Sequence, residues 1–183
     1  MPPIAAGKMT PAQKKSIAAL AATPRGSTGA AGPWVPLVRS PELMDRIQAV
    51  GEYLRFHNTI PQKLVEMTIL MTSRRLMNQY EWNAHYPLAL KQGLKMDVAR
   101  AIADGRRPSG LVEEEEMVWD FNDELIHNQG VSDATYAQVL KRFGEQGVVD
   151  LTVITGYYST IGLMMNVART PAPIIPDVPV LQR

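Results

Sequence analysis

A chain of 183 residues is long enough for one domain with a proper core and short for two. Hydrophobic content is 45% and charged content 20%, and 19 basic against 18 acidic side chains leave a formal charge of +1, no electrostatic footprint for nucleic acid or a membrane surface. The absence of cysteine removes disulfides, thiolate metal sites, cysteine nucleophiles and dithiol redox chemistry, and suits a cytoplasmic protein.

Residues 1–32 read as an N-terminal arm, with a short helix from Pro11 to Ala22 followed by loop composition over Thr23–Gly29. The first 41 residues hold no acid and seven of the 14 prolines, which interrupt the long amphipathic helix a transit peptide would need. Ser40-Pro41-Glu42 combines an N-cap, a proline at the first helical position and an early acid, and predicts a helix to about Arg55. Pro61 opens the next helix, to about Leu76; another covers Tyr80 to Gln92, closed by Gly93. A short helix spans Asp97 to Ala103. Glu113-Glu114-Glu115-Glu116 reads as the solvated first turn of a helix reaching Asn128, where acids complement the helix dipole. Ser132-Asp133 caps a helix to about Gly144, and a last core helix runs from Val148 to Val167. Residues 170–183, with four prolines, read as an extended tail. No run approaches the ~20 apolar residues of a membrane-spanning helix. The predicted fold is all-α, a core over residues 33–169.

Leu64-Val65-Glu66-Met67-Thr68-Ile69-Leu70 and Val148-Val149-Asp150-Leu151-Thr152-Val153-Ile154 match in kind at every position. Each sets one acid among apolar neighbours, which suggests two related helical halves with both helices central.

Three residues carry the chemistry. Glu66 has Ile69, Leu70 and Met77 as helical neighbours, so its carboxylate is desolvated and its pKa is expected to rise unless a cation such as Arg74 or Arg75 compensates. Two readings stand open there: a buried acid in an inter-helix ion pair, or a tuned acid or base. Glu81 and His85 are four apart and share a helical face, among the aromatic side chains of Tyr80, Trp82 and Tyr86. Pro87 in the same helix is expected to kink it. Neither His-Glu-x-x-His nor repeated Glu-x-x-His is present, so no metal is expected. His57 and His127 receive no role. Tyr157-Tyr158 offers phenol donors or core packing.

The chain resembles the carboxymuconolactone decarboxylase family of the AhpD-like helical superfamily over roughly Gly32 to Arg169. The resemblance rests on Gly32-Pro33-Trp34, Ser40-Pro41-Glu42-Leu43, the helix at Glu66, Tyr80-Glu81-Trp82 with His85, Gly93-Leu94, Val131-Ser132-Asp133, Phe143-Gly144-Glu145 and Gly156-Tyr157-Tyr158. In the peroxidase branch a Cys-x-x-Cys precedes the histidine; here those positions are Asn78 and Glu81, so a dithiol peroxidase is set aside. The Glu-Trp-x-x-His form is similar to the decarboxylase branch. That resemblance implies an AhpD-like helical subunit assembling as a trimer or hexamer, acting without a cofactor on a small carboxylated, lactone-like substrate. It implies His85 as proton donor oriented by Glu81, with Glu66 tuning or resupplying it. Arg74 or Arg75 would hold a substrate carboxylate, and Tyr80, Trp82 and Tyr157 would line the site. A lactone hydrolase or isomerase on the same residues, and a non-catalytic oligomeric binding protein, are the competing readings. Pro33-Trp34 and the two chain ends are expected to anchor on a neighbouring subunit.

Overall fold

A computed structural model describes residues 1–24 and 29–182. Of the loop expected over Thr23–Gly29, residues 25–28 lie outside the described residues. Among the described residues a 3-10 turn at Ala6–Lys8 is followed by eight helices: α1 Pro11–Ala21, α2 Trp34–Leu37, α3 Pro41–Phe56, α4 Gln62–Arg75, α5 Gln79–Lys91, α6 Met96–Ala103, α7 Glu113–Asn128 and α8 Asp133–Ala168. No strand occurs among the described residues.

The centre of the fold is α4. Every residue from Leu64 to Ser73 is buried, and α4 packs against α5, α6, α7 and α8. The hydroxyls of this run find acceptors within the helix itself. The hydroxyls of Thr68, Thr72 and Ser73 donate to the carbonyls of Leu64, Thr68 and Ile69, one turn back. On one side of α4, Met67, Leu70, Trp82, Tyr86 and Ile102 form an apolar cluster; on another, Leu64, Val65, Ile69, Phe121, Leu151 and Ile154 form a second. Burying each such side chain contributes on the order of 1.5–3 kcal/mol.

The second acid-bearing helix differs from the first. In α8, Asp150, Leu151 and Ile154 are buried, but Val149 and Val153 are exposed, so α8 is amphipathic rather than apolar all round. By length and composition α8 would pass for a membrane span. Its packing against α4 and α7 and its buried Asp150 make it a core helix here. Asp150 accepts a hydrogen bond from the Tyr53 hydroxyl at 3.1 Å and one from the Thr59 hydroxyl at 3.4 Å.

The two helices expected either side of Gly144 meet without a connecting loop. Gly144 has φ 71° and ψ 179°, a conformation only glycine adopts readily, and it bends α8 at that point. Nothing lies within 4 Å of where a Cβ would be. Gly144→Ala is therefore expected to destabilise by about 1–3 kcal/mol through backbone strain alone. Urea unfolding measures it; an unchanged midpoint would mean the bend relaxes into continuous helix.

One expectation from composition is corrected, and both chain ends gain partners on the core. Glu115, inside the acidic run, is buried: Lys63 Nζ lies 2.7 Å from its carboxylate, which also accepts from the Val112 N–H at 3.2 Å. The arm is seated on its own chain. Leu20 and Trp34 are buried with Leu37, Met44, Ile161 and Met165, so Trp34 is occupied within the subunit. The tail is held too: Gln79 donates to the Pro179 carbonyl and accepts from the Leu181 N–H, and Leu181 is buried in the first cluster.

Candidate functional site

Met77, with φ 52°, reverses the chain sharply between α4 and α5. The Asn78 side chain then accepts from the Glu81 N–H at 2.9 Å, capping α5. Its amide donates to the Gly162 carbonyl and to Asn166, at 3.0 and 2.9 Å, so the start of α5 is pinned to α8. From this fixed end, Glu81 and His85 project on one face, one turn apart. The helix continues through Pro87 to Lys91 rather than breaking there.

Glu66, on α4, meets that face. Its Oε2 lies 2.7 Å from His85 Nδ1, while His85 Nε2 lies 3.3 Å from Glu81 Oε2. All three side chains are buried, at 4%, 5% and 5% exposure for Glu66, Glu81 and His85, so solvent screens the triad little. The cation that compensates Glu66 is thus His85, not Arg74 or Arg75. Burial works against a charged imidazole, but the Glu66 charge and hydrogen bond, helped by Glu81, outweigh it. The His85 pKa is pushed up to about 9. At neutral pH the ring is an imidazolium that donates from Nδ1 to Glu66 and sets Nε2 opposite the Glu81 carboxylate.

The triad stands at the wall of a cleft of about 240 Å³, lined among others by Arg55, Tyr80, Glu81, His85, Tyr157 and Tyr158. Glu66 lies behind His85 and does not line it. The Tyr158 ring stands edge-on to His85, with centroids 5.2 Å apart and planes at 83°. Burial first, then the Glu81 charge, raises the Tyr158 phenol well above its ordinary pKa, and the same two causes raise Tyr80. Both remain neutral donors. Arg55 is half-buried with its guanidinium 5.2 Å from the Phe56 ring centroid, and it makes no ion pair among the described residues.

The sequence-expected residues therefore divide. Glu66, Glu81 and His85 converge, and Tyr80 and Tyr157 line the cleft. Trp82 does not: it is fully buried against Tyr86, ring centroids 5.6 Å apart, and serves packing. Arg74 and Arg75 line a different cavity, beyond the end of α4. Arg55 and Tyr158 are the members that sequence reasoning missed or left as packing. Arg55 ends an ordinary amphipathic helix and nothing near it in sequence marks it. The Tyr157-Tyr158 pair was visible, but which of the two meets the histidine depends on the rotation of α8.

No protein-family model and no curated protein matches the sequence. Among solved structures, this chain is similar to that of an Agrobacterium tumefaciens protein of unknown function, a candidate AhpD of antioxidant defence. The TM-score is 0.66 at 16% identity, over 76% of this chain and 96% of that one. At that identity the likeness speaks for architecture and not for activity. The chain has the AhpD-like all-helical fold.

Proposed function

We propose that the cleft belongs to a cofactor-independent acid–base enzyme, decarboxylase-like, acting on a small carboxylated and lactone-like substrate. The observation that carries this reading is the buried ring of His85, held between two carboxylates at the wall of a cleft that also presents Arg55. Glu66 grips Nδ1 from behind and fixes the ring; Nε2, on the Glu81 side, is the nitrogen that faces a substrate. The orienting role passes from Glu81 to Glu66 on these distances.

In such a reaction Arg55 holds a carboxylate of the substrate. The bond to the departing carboxylate breaks, carbon dioxide leaves, and the electron pair enters the lactone carbonyl as a dienolate. His85 Nε2 then gives its proton to carbon, and the Tyr80 and Tyr158 phenols stay neutral beside the developing charge. The neutral ring then takes its next proton from water at the cleft, relayed by the Glu81 carboxylate. A histidine with a pKa of about 9 is charged throughout the neutral range. That suits stabilising and protonating an anion better than abstracting a proton, and favours decarboxylation over lactone hydrolysis. Glu81 is the group that would serve as base in an isomerase on the same site.

The test is turnover of carboxylated butenolides in deuterated water, following carbon dioxide and deuterium at the product carbon. His85→Gln is expected to lose deuterium delivery, and Arg55→Gln to raise KM more than it lowers kcat. Full turnover by folded His85→Gln would remove the mechanism; turnover without carbon dioxide would point to the isomerase. We further propose a homo-oligomer, a trimer or hexamer. It is supported by exposed apolar side chains on α3 and α8, Val50, Val149, Leu163 and Val167. Light scattering showing a monomer at micromolar concentration would contradict it.

A further inference from the structure

The arginines that end α4 face a second cavity, also of about 240 Å³, which shares no lining residue with the cleft at His85. It is walled by Met71, Ile102, Trp119 and Ile126, with Arg74, Arg75 and His127 at its polar side. We propose that this cavity is a binding site for a small organic carboxylate carrying a single ring or a short apolar chain. The proposal does not depend on the activity assigned to His85.

The Arg74 guanidinium is poorly partnered for its position. Among the described residues its Nε is buried with no hydrogen-bond acceptor, and its Nη1 meets the Met77 sulfur, at 2.7 Å, a weak acceptor. Its Nη2 lies against Gly105, where a Cβ would come within 2.8 Å, so the backbone is shaped to let the guanidinium lie there. Neither Arg74 nor Arg75 forms an ion pair among the described residues. The one acid at the cavity, Asp123, is turned to His127, whose Nδ1 is 3.2 Å from its carboxylate and 2.9 Å from its carbonyl.

Cations at the end of α4 complement the helix dipole, which accounts for their charge. It does not account for a buried Nε with no acceptor among the described residues at the edge of an apolar recess. A planar carboxylate matches the guanidinium fork and supplies the missing acceptors, while Trp119, Met71 and Ile102 take an apolar body. The volume is below the ~300 Å³ at which drug-sized pockets begin, which restricts the occupant to a small molecule.

The probes are benzoate and its neutral counterpart benzamide, titrated into the full chain and followed by nitrogen–proton NMR at the Trp119 indole. Benzoate is expected to saturate that signal with a Kd of about 1 mM or tighter, and benzamide at least tenfold more weakly. Arg74→Gln and the exposed-site Arg75→Gln are each expected to weaken benzoate tenfold or more, with Arg55→Gln without effect on this signal. The proposal is overturned if benzamide binds as well as benzoate. It is equally overturned if both arginine variants bind like the parent, or if benzoate perturbs only residues of the His85 cleft.

Discussion

Replacing His85 with alanine is expected to destabilise the fold by about 3–5 kcal/mol near neutral pH, the range for breaking one side of a buried ion pair. The imidazolium is the only side-chain partner of the Glu66 carboxylate among the described residues, and it also faces Glu81. Alanine would leave two buried carboxylates facing one another across a void, with water largely excluded. The loss should shrink in acid, where protonation removes both charges. A companion variant separates charge from shape: Glu66→Met with His85→Leu, which removes both partners, is expected to cost far less than His85→Ala. Urea unfolding at pH 7 reads both. A loss under about 1 kcal/mol for His85→Ala would mean that water already reaches Glu66.

The second large effect is on pH dependence. His85 has its pKa raised from 6.5 to about 9 in the folded protein, chiefly against burial and by Glu66. A raised histidine binds its proton more tightly folded than unfolded. Its contribution is therefore complete below pH 6.5 and lost as pH rises through about 9. At about 1.4 kcal/mol per unit this amounts to roughly 3 kcal/mol. Unfolding free energies between pH 6 and pH 9.5 are expected to fall in the parent and to stay nearly flat in His85→Gln. The window matters because the buried Tyr158 phenol is also raised, and its own loss of stability begins only above the ordinary tyrosine range. A parent that is flat across this window would contradict the charged assignment.

Local rules in the sequence carried the helices. Ser40-Pro41 and Pro61 mark starts, and the apolar run at Leu64–Leu70 marks the central helix. The triad was legible for the same reason: Glu81 and His85 are related by one helical turn, and an acid within an all-apolar helix has to find a buried partner. What required the third dimension was the pairing between helices. Arg74 sits two turns from Glu66 on the same helix and seemed its natural cation, yet the rotation of α4 turns it to another cavity. Arg55 reaches the cleft from α3, with no local pattern to announce it. Trp82 shares aromatic composition with the residues lining the cleft, but its position on α5 turns it into the core. The tail reads as extended because its prolines preclude a helix, and backbone groups at Pro179 and Leu181 find partners on Gln79. Composition signals a missing helix; it says nothing about a docked extended strand of chain.

Everything proposed for the cleft depends on His85 being a buried imidazolium gripped by Glu66. Nitrogen NMR of the ring, titrated in the intact protein and in Glu66→Gln, measures this directly. The expected result is two protonated ring nitrogens at pH 7, a midpoint at about 9, and a clear downward move of that midpoint in Glu66→Gln. A midpoint at or below 6.5 in the parent, or one that Glu66→Gln leaves in place, would contradict it.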